Sequence, residues 1–147
     1  MRSASTANRC NFGTRKIDFG ESWQNYTTAG LVFSSLDEIK TKLRDCTSLV
    51  DDINIAWNYT GKIVDLSGIT ELSTILFETV NITGLLLPDV EKLDRLILAE
   101  DGTRLTSFDA SKLVTAGYMR FDMSDVNLEF PVLTNLKGLL VRRSVKG

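Results

Sequence analysis

The stretch NITGLLLPDVEKLDRLIL, residues 81–98, has an apolar spacing that fits neither a helix nor a single strand. Six of its apolar positions are separated by two, three, three, three and two residues. They are Leu85, Leu87, Val90, Leu93, Leu96 and Leu98. A helix favours separations of three and four residues, whereas a strand favours twos. The spacing therefore predicts two short strands that are joined by bends.

The same six-position pattern occurs four times in the chain, and its first positions are Val64, Leu85, Phe108 and Leu128. The repeats follow one another at 21, 23 and 20 residues. All 24 positions are apolar, whereas the overall hydrophobic content of 43% predicts about 10. The positions outside residues 81–98 continue as Leu66, Ile69, Leu72, Ile75 and Phe77; as Ala110, Leu113, Ala116, Met119 and Phe121; and as Phe130, Leu133, Leu136, Leu139 and Val141.

A repeat of this length indicates a solenoid. We predict a mostly β fold, namely a short right-handed parallel β-solenoid with coils of 20–23 residues like those of leucine-rich repeats. Residues i and i+2 of a strand point to the same face, so each coil provides two strands with two inward side chains each. The separations of three turn the chain between these strands. Stacked coils then form two narrow parallel sheets around one core.

An ordinary α/β domain is the alternative, with helices between strands near 53–57, 75–79, 95–100 and 118–123. The segments SGITELST and PDVEKLDR would be short helices in a plain leucine-rich repeat. Such repeats usually carry an Asn after the apolar run. The aligned residues here are Val80, Asp101, Ser124 and Ser144. The missing Asn and the extra alternating pair in each repeat favour the two-sheet solenoid.

We interpret residues 1–147 as a single domain, because a chain of this length suits one domain. Residues 1–46 are predicted to form an N-terminal cap, and residues 47–147 the solenoid coils. An open coil would expose a cross-section of the core and unpaired strand edges. A helix at about 36–45 is expected to cover that end.

The helix prediction has a start signal and an apolar face. Ser35 and Glu38 form a capping box. Leu36, Ile39 and Leu43 share one side of the helix.

The C-terminal end carries no comparable signal. The last repeat ends at Val141, and RRSVKG follows without a visible cap. Arg142, Arg143 and Lys146 are interpreted as residues that discourage edge pairing. The alternative is that a longer relative continues from this point.

Cysteine and sequon content favours a secreted, oxidised protein. Cys10 and Cys46 lie 36 residues apart and are either free buried thiols or one disulfide; we expect the disulfide. Three Asn-x-Thr sequons begin at Asn25, Asn58 and Asn81, and these are predicted glycosylation sites. Asn58 and Asn81 occupy the same loop position in successive coils, so both are expected to face solvent.

Composition argues against several classes of function. The net charge of −2 provides no basic surface for nucleic acid, and no stretch has the length of a transmembrane span. The chain has no histidine, which removes the commonest general base and transition-metal ligand. No cofactor, metal site or catalytic residue is predicted. Asp109 and Glu129 would be neighbours on one sheet and could form a glycosidase pair, but we interpret them as a solvated sheet face.

A candidate binding face follows from the repeat. The residues that point outward on the second strands are Leu76, Ile97, Arg120 and Leu140. Large apolar side chains in one exposed line would mark a contact surface. The alternative is that the N-terminal segment or a loop covers them.

The sequence LRDCTSLVDDINIAWNYTGKIVDLSGITEL, residues 43–72, resembles the start of fungal cell-wall organisation proteins. These are GPI-anchored, sporulation-related surface glycoproteins with a receptor L-domain-like fold. The resemblance rests on Cys46, the alternating strand at 51–55 and Leu-Ser-Gly-Ile at 66–69, and it extends over about residues 36–141 through FPVLTNLKGLLV. Family members are longer and end in a Ser/Thr-rich stalk and an anchoring signal, so this chain is expected to be a fragment or a short secreted derivative.

We therefore expect a secreted, non-enzymatic binding or structural glycoprotein of the fungal surface or cell wall. Its partner would be a protein or a cell-wall glycan, and self-association is a further alternative. The competing functions are a secreted effector that engages a host protein and a carbohydrate-active enzyme built on a β-solenoid.

Overall fold

The computed structural model describes residues 8–14, 30–78, 82–103, 105–123 and 128–142. These residues form eleven strands and one helix: β1 (Arg9–Cys10), β2 (Leu31–Phe33), α1 (Leu36–Lys42), β3 (Ser48–Leu49), β4 (Ile53–Ile55), β5 (Ile63–Asp65), β6 (Glu71–Phe77), β7 (Gly84–Leu86), β8 (Lys92–Thr103), β9 (Ser107–Asp109), β10 (Thr115–Met123) and β11 (Asn135–Arg142).

The strands build a parallel β-solenoid of about four turns. Every strand pairing within the described residues is parallel. The smaller sheet has the order β5-β7-β9, and the larger sheet has the order β1-β3-β6-β8-β10-β11, with β4 beside β6 and β2 beside β4. Parallel neighbours that are about twenty residues apart are what a coil of this length requires.

The predicted repeat register is confirmed by burial in the first three repeats, whereas none of the six positions of the fourth repeat is buried. All positions of the first three repeats are buried except Phe108, which is half-buried. The Phe108 ring packs edge-on against Phe121 and Phe130, with ring centroids 5.7 and 5.6 Å apart. The alternative with helices between the strands is wrong, because both candidate helical segments form a turn followed by a strand.

The two-strand coil needs a correction. A turn occurs at the first separation of three, as at 67–68, but the last separation of three lies inside a continuous strand. In β6, for example, Leu72 and Ile75 are both buried although they are three residues apart. Since side chains alternate along a flat strand, β6 must change its inward face between them. The backbone ladder with β8 continues on both sides of this point, so the bend does not end the strand.

The first strand of the last repeat is also absent from the structure. Residues 128–130 were predicted to pair with residues 108–110, but they form no strand, and the smaller sheet ends at β9. The side chains at Leu128 and Phe130 nevertheless pack against the core.

The N-terminal residues add one further rung, that is, one further layer of strands, to the stack of coils. β1 pairs with β3, β2 pairs with β4, and α1 contacts β5 where a strand would lie in a later coil. Ile39 and Leu43 of this segment belong to the hydrophobic core. The helix ends at Lys42 rather than at residue 45, since the Leu43 N–H still reaches the Ile39 carbonyl but the chain then turns. The division into a cap and coils at residue 46 remains a prediction.

Candidate functional site

The predicted binding face lies on one line of the larger sheet, as expected. Strand register places Leu76 beside Ile97, Ile97 beside Arg120, and Arg120 beside Leu140. Leu76 and Ile97 are only 3% and 2% exposed, however, whereas Leu140 is 48% exposed. The expectation of one exposed line is therefore wrong for its first half. Those side chains are buried inside the folded chain, so the alternative, in which other residues of the chain cover them, holds for this half.

The exposed apolar residues are instead concentrated on β11. Leu136, Leu139 and Val141 are 39%, 46% and 38% exposed, although they occupy inward positions of the repeat. The residues at the same positions of the three preceding coils are at most 5% exposed. These are Leu72, Leu93 and Ala116; Ile75, Leu96 and Met119; and Phe77, Leu98 and Phe121. Both faces of β11 therefore present apolar side chains to solvent.

The reason lies in strand order. β11 pairs with β10 on one side, and within the described residues no strand pairs with its other side. An unpaired edge exposes backbone N–H and C=O groups together with the side chains that a following rung would bury. We call this surface the β11 edge; it comprises residues 135–142.

A cleft of about 730 Å³ lies at the other end of the molecule, between β2 and α1. It is lined by Gly30, Leu31, Val32, Phe33, Ser35, Asp37, Glu38, Thr41 and Lys42. Val32 is 53% exposed at this position. The Lys42 ammonium lies 5.1 Å from the centre of the Phe12 ring, which is a cation–π distance. No sequence motif indicated this cleft, because it forms only where a helix takes the place of a strand.

The capping box is present in an altered form at the rim of this cleft. The Ser35 hydroxyl accepts a hydrogen bond from the Glu38 N–H at 3.1 Å. The Glu38 carboxylate returns to Ser34 rather than to Ser35, and it accepts the Ser34 N–H at 2.7 Å and the Ser34 hydroxyl. These hydrogen bonds hold the pKa of Glu38 below its ordinary value. The carboxylate therefore completes the helix start.

Two cross-links hold the N-terminal residues against the first coil. The predicted disulfide is present between Cys10 and Cys46. The buried Asp51 carboxylate accepts hydrogen bonds from the Phe12 N–H at 2.8 Å, the Thr14 N–H at 3.0 Å and the Thr14 hydroxyl at 2.7 Å. Burial raises the pKa of Asp51, but these three hydrogen bonds, together with one from its own backbone N–H, leave the pKa below its ordinary value.

Among the predicted glycosylation sites, Asn58 is exposed. It lies in a turn with Trp57, which is 72% exposed. The next residue, Tyr59, is buried and donates its hydroxyl to the Ile63 carbonyl at 2.8 Å. Burial, together with the Asp65 charge, raises the pKa of Tyr59 to about 12. The turn is therefore anchored by Tyr59 while Asn58 faces solvent. Asn25 and Asn81 lie outside the described residues.

The candidate carboxylate pair is not arranged as predicted. Asp109 ends β9 and accepts the Ser111 N–H at 3.0 Å, just as Asp65 ends β5 and accepts the Ser67 N–H at 2.9 Å. Both carboxylates thus fix the same turn in the first and third coils, and Leu86 occupies the equivalent position of the coil between them. Glu129 lies outside any strand, so it is not a paired neighbour of Asp109. Within the described part of the chain, no three His, Cys, Asp or Glu side chains are grouped so as to hold a metal ion.

Comparisons of the chain with known proteins give no match to a family model, to a curated protein or to a solved structure. Among the described residues, no helix is both long enough and apolar enough to cross a membrane.

Proposed function

We propose that the chain is a secreted, non-enzymatic binding or structural glycoprotein of the fungal surface or cell wall. In this proposal it acts through a protein or glycan interaction surface. The observation that carries the proposal is the β11 edge, where apolar side chains and an open strand edge coincide. The solenoid itself is proposed to be of the receptor L-domain-like type, with α1 as its N-terminal cap, on the basis of the family resemblance.

Energetics support an interaction at the β11 edge. Full burial of a Leu or Val side chain stabilises a structure by about 1.5–3 kcal/mol. Leu136, Leu139, Leu140 and Val141 are each between a third and a half exposed, so part of this free energy is not realised in the isolated chain. Apolar side chains that are exposed together on one strand are typical of a contact surface.

Two features support an extracellular location. Disulfides persist in oxidising compartments and are rare in the cytosol, and this chain contains one between Cys10 and Cys46. Asn58, the first residue of a sequon, is exposed, as a glycosylation acceptor must be. The proposal therefore predicts that Asn58 carries a glycan that an endoglycosidase removes after expression in a eukaryotic secretory host.

The interaction is tested by sedimentation with isolated fungal cell walls. We expect the full chain to sediment with intact walls, and Leu139→Asp to weaken this binding by about tenfold, because a charge replaces an apolar contact. Val32→Asp is the matched control: it also replaces an apolar side chain by a carboxylate, at a similarly exposed residue of the opposite end.

A second arm identifies the class of partner. Retention on walls from which protein has been extracted would assign the surface to a glycan, and loss of retention would assign it to a wall protein. Equal binding of the wild type and Leu139→Asp would contradict the proposed surface, as would binding that only Val32→Asp abolishes. Melting temperatures of both variants show that each remains folded.

A further inference from the structure

We propose that two copies of this chain join end to end through their β11 strands, which pair antiparallel about a two-fold axis. The inference goes beyond the proposed function and shares one premise with it, namely that the β11 edge is a contact surface. In the dimer this edge is covered, so binding to cell walls through it belongs to the monomer. The occupant of that edge is then a second β11 edge, and the cores of the two solenoids become continuous.

Strand length favours this occupant over the N-terminal end of another copy. β11 has eight residues, whereas β1 has two and β2 has three. β1 and β2 lie along one rung, because their partners β3 and β4 both pair with β6, so this end offers two and three strand residues in separate pieces. Head-to-tail stacking would therefore leave the part of β11 between those pieces without a described strand partner. It would also build an open filament, because a heterologous contact does not close upon itself. A second β11 offers a strand of equal length, and a two-fold contact closes after two copies.

Full-length pairing allows only one register. If all eight residues of each β11 are paired, Asn135 faces Arg142, Leu136 faces Val141, Lys137 faces Leu140 and Gly138 faces Leu139 of the other copy. Leu136 and Val141 are both inward positions of the repeat, so the two core faces meet each other. A shift by one residue would turn the core face of one copy toward the outer face of the other.

Charge also fits this register. Lys137 and Arg142 are the two charged residues of β11. Like charges placed directly opposite each other destabilise a strand pair. In the full-length register, Lys137 faces Leu140 and Arg142 faces Asn135, so no two cations oppose each other. A shift by two residues toward the C-terminus would place Lys137 directly opposite Arg142 and is disfavoured.

The pairing is tested by analytical ultracentrifugation of the full chain over a range of concentrations. We expect a monomer–dimer equilibrium without larger species. Val141→Asp should give monomers, because it places a charge opposite Leu136 in the shared core. Val32→Asp, at the opposite end, should dimerise like the wild type. A wild type that stays monomeric at every concentration would overturn the inference, and so would a Val141→Asp variant that dimerises normally.

The register has its own test at Leu140, which faces Lys137 of the other copy. Leu140→Glu places an anion opposite that cation, and Leu140→Lys places a second cation there. Since each dimer contains this pair twice, we expect the Glu variant to dimerise about tenfold more tightly than the Lys variant. Equal dissociation constants for the two variants would overturn the antiparallel register, because a general loss of apolar contact would affect both alike.

The outcomes separate this inference from the proposed function. Monomers that still bind cell walls through the β11 edge would overturn the dimer and leave the proposed function standing. A wild type that dimerises, but binds no wall fraction even at concentrations at which it is monomeric, would support the dimer and contradict the proposed function.

Discussion

At the N-terminal end of the solenoid, β1, β2 and α1 lie on the first coil, and a disulfide and a buried carboxylate hold them there. At the C-terminal end, β11 lies on the last coil with its other edge unpaired within the described residues. Apolar side chains at equivalent positions of the repeat are buried in the coil near the first end and exposed in the coil at the second. The comparison shows that an inward position is buried only if a further rung covers it.

The larger sheet shows the same change along one outer line. Ile97 is buried and Leu140 is exposed, although both point outward and are separated only by the strand that carries Arg120. We expect Ile97→Asp to lower the free energy of unfolding by about 4–5 kcal/mol, because it buries a carboxylate at a position that the native chain fills with an apolar side chain. Leu140→Asp should change it by less than about 1 kcal/mol. Urea denaturation of both variants measures the difference.

Nearly equal stabilities of these two variants would break the comparison. Such a result would mean that Ile97 is accessible to water in solution, and the exposed line predicted from the sequence would then be restored as a candidate binding face. Ile97→Val is the control for this pair, since it keeps the side chain apolar and should cost only about 1 kcal/mol.

The disulfide provides the second test, at the N-terminal end. Replacing both Cys10 and Cys46 by Ser removes the cross-link across 36 residues. In the chain-entropy model this lowers the free energy of unfolding by about 4 kcal/mol. Thermal unfolding of the wild type and of the double variant, each with and without reductant, measures the loss.

The double variant supplies its own control, because reductant should not destabilise it further. The mass of the unreduced wild type should lie two hydrogens below that of the reduced chain. Detection of two free thiols in the chain expressed through a eukaryotic secretory host would contradict the pairing. It would also remove the main support for an oxidising compartment.

The apolar repeat predicted the coil, the parallel ladders and most of the core, because an i, i+2 pair on a strand specifies a face without reference to distant residues. It placed Leu96 and Leu139 in equivalent positions, and the structure agrees. It could not predict that one is covered and the other is not, since that depends on the next rung. It also left Leu76 and Ile97 open to both interpretations, because the repeat does not show what packs over the outer face of the sheet.

Features built from distant parts of the chain were missed altogether. The Asp51 carboxylate meets Phe12 and Thr14 across nearly forty residues, and no local pattern relates them. The cleft beside Val32 arises because α1 lies where later coils have a strand. The helix start signal at Ser35 was correct, but it contained no information about the space that remains between the helix and β2.

The smallest expected effect concerns Asp51, and it probes the second cross-link of the N-terminal end. The pKa of this carboxyl is lowered in the folded chain from its ordinary value of 3.8. Its hydrogen bonds therefore stabilise the fold above pH 3.8, and this stabilisation is lost as the pH falls through the lower pKa of the folded state. Asp51→Asn removes the charge that strengthens these bonds and should cost about 1–3 kcal/mol near neutral pH.

The cost of Asp51→Asn should shrink as the pH is lowered below 3.8, because the wild-type carboxyl then becomes neutral as well. Urea denaturation of the wild type and Asp51→Asn at a series of acidic pH values measures this convergence.

Asp109→Asn is the matched control: that carboxylate fixes a turn of the third coil through one hydrogen bond from Ser111, so its cost should be smaller. A constant difference between the wild type and Asp51→Asn at all pH values would show that the amide change acts through packing alone. The N-terminal end would then depend on the disulfide, and the contrast with the β11 edge would rest on one cross-link instead of two.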